Sequence, residues 1–195
     1  MGFTVGCFGY GGNVALIEIF REELELNGIL IKTCHEYANA SVPYNKDIIF
    51  DFIDSCDVIA LPCRVKLQPA KSVNRLALVL SRKKACVVSP LDAYLRYYKD
   101  GEHILVADNK EQWIEAILKL RDNVKLRNSL AQNGFFVNQQ LHPINQIGKL
   151  INELNYHYSL ETYPNSLVQV IIPHYAPRLD YLELAVKLTP ALRPE

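Results

Sequence analysis

Residues 3–13, Phe3-Thr4-Val5-Gly6-Cys7-Phe8-Gly9-Tyr10-Gly11-Gly12-Asn13, decide the fold. Phe3 to Phe8 is a short apolar run without polar alternation, so it reads as a strand buried on both faces. Gly9-Tyr10-Gly11-Gly12 breaks the run, and Asn13 is of a type that caps a following helix. In that helix Val14, Ile17, Phe20 and Leu24, with Ala15 beside them, form an apolar face, and Gly28 ends it. A buried strand, a glycine turn and a helix that carries the chain back form the opening unit of a parallel sheet.

The same alternation continues outward. Ile29 to Cys34 is a second strand, and Asp47 to Ser55 a helix with Ile48, Ile49 and Phe52 at helical spacing. Val58 to Leu61 is a third strand, opened by Asp57 and stopped by Pro62. Lys71 to Arg82 reads as a helix with Leu76, Val79 and Leu80 on one side. Ala85 to Val88 and Ile104 to Ala107 supply two more strands, with a short helix from Asp92 to Tyr98 between them. From there the period is helical: Lys110 to Asp122, with Trp113, Ile117 and Leu120 on one stripe, then Val124 to Gln140 and Ile144 to Tyr158, separated by Pro143. The expected class is therefore α/β, a Rossmann-like doubly wound parallel sheet with a helical C-terminal region.

Residues 1–158 are expected to form one domain. From Ser159 the composition changes: Tyr163-Pro164-Asn165-Ser166 reads as a linker, Leu167 to Ile172 as a strand and Asp180 to Leu188 as a helix. Residues 159–195 are thus expected to be a linker and the truncated start of a further domain. A first strand that begins almost at Met1 suggests an excised domain.

Of 195 residues 49% are hydrophobic, enough for one continuous core, and 21 basic residues balance 21 acidic ones. That neutrality argues against a nucleic-acid or membrane surface, both of which need a concentrated cationic field. No apolar stretch approaches the roughly 20 residues of a transmembrane segment, and no signal-peptide pattern opens the chain. A cytoplasmic location is expected. Cys7, Cys34, Cys56, Cys63 and Cys86 lie in or beside apolar runs and read as buried, reduced thiols. His103, His142, His157 and His174 are scattered without ligand spacing, so no metal is expected.

In an open parallel sheet, ligands sit beyond the carboxyl ends of the strands where strand order reverses. Two loops there carry phosphate-binding chemistry. Gly11 and Gly12, followed by Asn13, let a backbone approach an anion at the start of a helix. Arg64 and the string Lys71-Ser72-Val73-Asn74-Arg75 bring cations to the start of another helix, an arrangement that opposes the helix dipole and makes sense if an anion lies between them. Lys71, Asn74 and Arg75 would share a face of that helix. Arg82-Lys83-Lys84 reads as a solvated basic stretch.

These segments stand in an order similar to that of group 1 (GT-B type, glycogen synthase-like) glycosyltransferases. Asp57-Val58-Ile59-Ala60-Leu61-Pro62-Cys63-Arg64 resembles their "D-V-x-x-L-P-S-R" strand, and Lys84-Ala85-Cys86-Val87-Val88-Ser89 their "K-P-V-V-A-S" strand. Tyr94 with Lys99-Asp100-Gly101-Glu102-His103-Ile104-Leu105-Val106 resembles "E-x-x-x-D-G-x-x-G-x-L-V". Leu126-Arg127 and Asn133-Gly134 fall where "L-R" and "N-G" recur. The resemblance covers roughly residues 3–154. It implies the C-terminal half of such an enzyme, which binds a nucleotide diphosphate sugar while a missing N-terminal domain binds the acceptor. It also implies that Gly11, Gly12, Arg64 and Lys71 approach the diphosphate, that Ser72 offers its hydroxyl and N–H, and that Asn74 faces the ribose or sugar. No separate cofactor is implied. The family's glutamate pair, eight positions apart, falls on Ala70 and Leu78, and Lys71-Ser72-x-Asn74-Arg75 resembles a subgroup that replaces that motif. Because transfer by such enzymes requires the acceptor-binding half, the fragment alone is expected to be inactive.

Val168-Gln169-Val170-Ile171-Ile172-Pro173-His174-Tyr175, with Arg178, Asp180 and Tyr181, resembles the opening strand of family 2 glycosyltransferases. An extra strand and helix capping the first domain is the competing reading. Two other function classes stay open. His35-Glu36 follows the second strand where a dinucleotide fold carries its ribose-binding acid, which suggests an NAD-linked oxidoreductase, although Val14 stands where the third fingerprint glycine belongs. A non-catalytic Rossmann scaffold is the other. Tyr94, Tyr97 and Tyr98 read as packing residues, with stacking on a base as the alternative.

Overall fold

A computed structural model describes residues 2–65 and 71–160, with backbone alone at 143–144 and 154–160. Ala70 and the elements expected after Leu160 lie outside the described residues. Contacts divide the chain into two units, Met1–Ile151 and Asn152–Glu195, and the account that follows concerns the first.

Six parallel strands run in the order β3-β2-β1-β4-β5-β6: β1 is Phe3–Phe8, β2 Ile29–His35, β3 Val42–Pro43, β4 Val58–Leu61, β5 Ala85–Val88 and β6 Leu105–Val106. The helices are α1 (Gly11–Val14), α2 (Glu18–Leu26), α3 (Ile49–Asp54), α4 (Asn74–Ser81), α5 (Asp92–Leu95), α6 (Lys110–Asp122), α7 (Val124–Gln140) and α8 (Pro143–Leu160). This is the doubly wound arrangement expected, with a helical C-terminal region.

Strand alternation explains the two layers of core. Val5, Cys7, Val58, Ala60, Ala85 and Val87 turn to one face, against Ile17, Phe20 and Leu24 on the first helical segment and Trp113, Ile117 and Leu120 on α6. Ile59, Leu61, Cys86 and Val88 turn to the other, against Ile53 on α3, Leu76, Val79 and Leu80 on α4, and Tyr94 and Tyr98. Burial on both faces is why the central strands are apolar throughout. Phe20 and Trp113 stack with centroids 5.5 Å apart and planes 7° from parallel, joining α2 to α6. All five cysteines are buried and none is joined in a disulfide.

Several boundaries differ from expectation for identifiable reasons. Asn13 does not cap the first helix. Gly9, at φ 123°, turns the chain so that Tyr10 becomes the N-cap, and Asn13 is buried inside α1. A 3₁₀ turn, Ala15–Ile17, then separates α1 from α2, and Ala15 is exposed. Helix α4 begins at Asn74, not Lys71: Val73 is the N-cap, and Lys71 and Ser72 lie in the approaching loop. Lys71, Asn74 and Arg75 therefore do not share a helical face. Keeping Lys71 off the helix also removes its charge from the positive end of the dipole. The two-residue β3 went unforeseen because no period can be read from Val42 and Pro43. Pro143 starts α8, where its missing N–H is no loss, instead of separating two helices.

Candidate functional site

The order of the strands reverses beside β1, which pairs with β2 on one side and β4 on the other. A crevice between the loops that leave β1 and β4 is the expected ligand position in such a sheet. Both sequence-predicted loops meet there. Asn13 Oδ1 accepts a hydrogen bond from the Arg64 N–H at 3.5 Å, and the Cys63 N–H donates to Ser89 Oγ at 2.9 Å, tying the second loop to the end of β5.

Arg75 is the centre of this crevice. Its Nη1 donates to the Phe8 carbonyl at 3.1 Å and its Nη2 to the Pro62 carbonyl at 3.5 Å, so one guanidinium joins the ends of β1 and β4. Gly9 has to be glycine here for two reasons. Its φ is positive, and a Cβ would lie 2.8 Å from Arg75 Nη1. Arg75 Nε and the Tyr94 hydroxyl are buried without a hydrogen bond of ordinary geometry, the hydroxyl lying against the Arg75 side chain, and among the described residues no carboxylate pairs with Arg75. Burial lifts the Tyr94 phenol above its usual range, with the nearby Arg75 charge opposing.

Lys71 is the second cation. Partial burial, then repulsion from Arg75, holds its ammonium below the usual lysine range. Lys71 and Arg75 are thus two positive groups near enough for one to lower the basicity of the other, and Arg75 has no carboxylate counter-ion among the described residues. Ser72 and Asn74 are exposed at the approach to α4, and the Arg64 side chain is exposed. Leu78, one of the two positions of the family's glutamates, is partly buried against the core on α4.

The glycine turn is engaged differently from a bare phosphate loop. The Gly11 N–H donates to both carboxylate oxygens of Glu36 at 3.1 Å, and the Tyr37 ring occupies the space a Gly11 side chain would need. At Gly12 a Cβ would come within 2.8 Å of Tyr10 Cε1. These two main-chain contacts to its own oxygens hold the Glu36 carboxyl below its usual range, led by its own N–H and then that of Gly11. Sequence reasoning left Tyr10 and Tyr37 unassigned. The available signal was an aromatic residue beside the glycine pair and another after His35-Glu36. Tyr94 and Tyr98 are packing residues, fully buried, whereas Tyr97 is exposed.

A surface depression of ≈ 590 Å³ between α2 and α6 is lined by Glu23, Glu111 and Glu115 with Lys119, Ile114 and Leu118, so its carboxylates outnumber its cation. Among the described residues no cluster of three His, Cys, Asp or Glu side chains converges, and no helix is long and apolar enough to cross a membrane.

No protein-family model matches the sequence, and no curated protein does. Solved structures do match in fold. The C-terminal domain of a glycosyl transferase group 1 family protein (LpcC) from Francisella tularensis superposes with a TM-score of 0.53 at 12% identity, over 71% of this chain and 85% of that one. Anabaena Alr3699/HepE, solved with UDP and glucose, gives 0.54 at 12% identity over 80% of this chain and 48% of its own. The same protein with UDP-glucose gives 0.54 at 11%. The chain thus spans about half the length of HepE. At such identities the likeness is one of architecture: the chain has the fold of the C-terminal domain of a group 1 glycosyltransferase.

Proposed function

We propose that this chain is the donor-binding half of a glycosyltransferase, holding a nucleotide diphosphate sugar at the crevice between β1 and β4. The observation that carries the reading is Arg75, partly buried at the strand reversal beside Lys71, with no carboxylate partner among the described residues. An anion between the two would relieve their repulsion. The fold likeness to a protein solved with UDP-glucose supports the same reading.

In this reading Arg64, Lys71, Ser72 and Arg75 grip the diphosphate, and Asn74 faces the ribose or sugar. Gly12 and Asn13 line the opposite wall, while the Gly11 N–H, expected to face the diphosphate, is turned to Glu36. As the sugar leaves, negative charge grows on the departing diphosphate, and fixed cations stabilise it without having to reorganise. The acceptor would be brought by a domain outside this chain, whose closure excludes water. Residues 1–158 form the binding domain, and 159–195 lead into another.

The test is thermal shift with UDP, UDP-glucose, GDP-mannose and NADH. A nucleotide that binds only the folded state raises stability by RT ln(1 + [L]/Kd), about 2.7 kcal/mol at a hundredfold excess over Kd. A UDP or GDP shift lost in Lys71→Ala is the expected result. No shift at millimolar nucleotide would leave a non-catalytic scaffold. An NADH shift that depends on Glu36 would point to an oxidoreductase.

A further inference from the structure

We infer that Glu36, Tyr10 and Tyr37 form a sugar-ring subsite, separate from the cations of the crevice, which receives a glycosyl unit at the carboxyl end of β1 and β2. The inference rests on the donor-binding reading only in taking this end of the sheet as the sugar-handling face.

Three observations meet here. Tyr10 and Tyr37 are 59% and 47% exposed, yet their rings are held in a defined relation, centroids 6.5 Å apart and planes at 67°. The two glycines admit them, since Gly11 and Gly12 have no Cβ to collide with the Tyr37 and Tyr10 rings. His35, buried, supports Tyr37 from beneath, its Nδ1 accepting the Tyr37 N–H at 3.2 Å and its ring 5.6 Å from the Tyr37 ring. Exposed aromatic faces ordered in this way supply flat apolar area at little entropic cost.

Beside them the Glu36 carboxylate is exposed and aimed by a bifurcated contact from Gly11. The Gly11 and Glu36 N–H groups hold the carboxylate from one side and leave acceptor capacity on the other. That geometry accepts from a ring hydroxyl, while the C–H face of a pyranose lies on a tyrosine ring. A phosphate is the wrong occupant, because the carboxylate repels it. The Gly11 N–H, already donated to Glu36, is also not offered to a diphosphate.

The experiment is saturation-transfer NMR on the intact chain with methyl glucoside, methyl galactoside, methyl mannoside, UDP-glucose and UDP. At least one glycoside, or the glucose ring of UDP-glucose, should receive saturation. That signal should fall at least fivefold in Tyr10→Ala, Tyr37→Ala and Glu36→Gln, and persist in Tyr37→Phe, which keeps the ring. Transfer to free glycosides assigns the subsite to an acceptor sugar, and transfer to UDP-glucose alone assigns it to the donor sugar. Circular dichroism checks that each variant is folded. No transfer to any sugar ring, or equal transfer in a folded Tyr10→Ala/Tyr37→Ala double variant, overturns the inference. UDP retained by these variants but lost in Lys71→Ala keeps the two sites distinct. Sugar binding without any UDP binding would sink the donor reading and leave this one standing.

Discussion

Arg75 Nη1 donates to the carbonyl of Phe8 at 3.1 Å, so the first turn of α4 is bonded to the last residue of β1, 67 positions earlier. The side chain that supplies charge to the crevice is also the clasp that holds its two walls together.

Replacing Arg75 therefore tests both roles. Lysine keeps the charge but loses the planar fork that reaches two carbonyls. Arg75→Lys is expected to cost about 1.5–3 kcal/mol, the range for hydrogen bonds to charged groups, measured by urea unfolding. Arg75→Met should in addition abolish the nucleotide-dependent thermal shift. Undiminished nucleotide binding in a folded Arg75→Met protein would remove Arg75 from the site.

Gly134 offers a test of the packing of α7. An added Cβ would stand 2.6 Å from Leu80 Cδ2 and 2.9 Å from the His103 carbonyl oxygen. The leucine can turn away; the main chain cannot. Gly134→Ala is expected to destabilise the protein by about 1–3 kcal/mol, as overpacking does, despite alanine's higher helix propensity. A variant as stable as the parent, or more so, in chemical denaturation would refute this.

Trp113 is expected to be the most costly truncation among the helices. It stacks on Phe20 and is 5% exposed. Trp113→Ala should lose about 3–5 kcal/mol, the usual cost of emptying an aromatic site, as read from the unfolding midpoint and slope. Trp113→Phe, which keeps a ring against Phe20, should recover a good part of it.

The buried thiols predict a loss of stability in alkali. Burial pushes Cys7 from 9.0 up to about 12, and Cys86 upward as well. Above pH 9 the unfolded chain sheds these protons while the native chain keeps them. Their contribution is thus complete below pH 9 and declines as pH rises towards 12. Melting temperature should fall across that window, and Cys7→Ala should flatten the slope even if it lowers stability at pH 7. Iodoacetamide should leave Cys7 and Cys86 unmodified in the native state and label them after denaturation.

The core was legible because burial on both faces leaves a plain mark: β1, β4, β5, α6 and α7 run between the residues that the apolar pattern indicates. Lys71 shows where that reading stops. Apolar spacing carried the helix back to residue 71, whereas the observed start depends on the Arg75 clasp and on the unfavourable charge at the dipole, neither of which is periodic. Asn13 failed as a cap for a related reason: one glycine at positive φ moved the start of the helix by three residues. Glu36 was readable as a carboxylate after a strand, but its partner, the Gly11 N–H, is 25 positions away and becomes a neighbour only once β1 and β2 pair. Tyr10 and Tyr37 carried only their places beside the glycine pair and after His35-Glu36, because a ring resting over a glycine is a fact of three dimensions.

Both outermost strands are two residues long, and Pro43, at one of them, has no N–H to donate. Such a stub covers its neighbour only in part: β3 pairs with Cys34 and His35 alone of the seven residues of β2, and the Thr33 N–H beside them is taken by Ser41 Oγ at 3.1 Å. The place where a foreign strand could template itself is therefore the outer side of β2 before Thr33, and there the Arg21 guanidinium, which donates to the Ile31 carbonyl at 3.5 Å, sets a charge against such an addition.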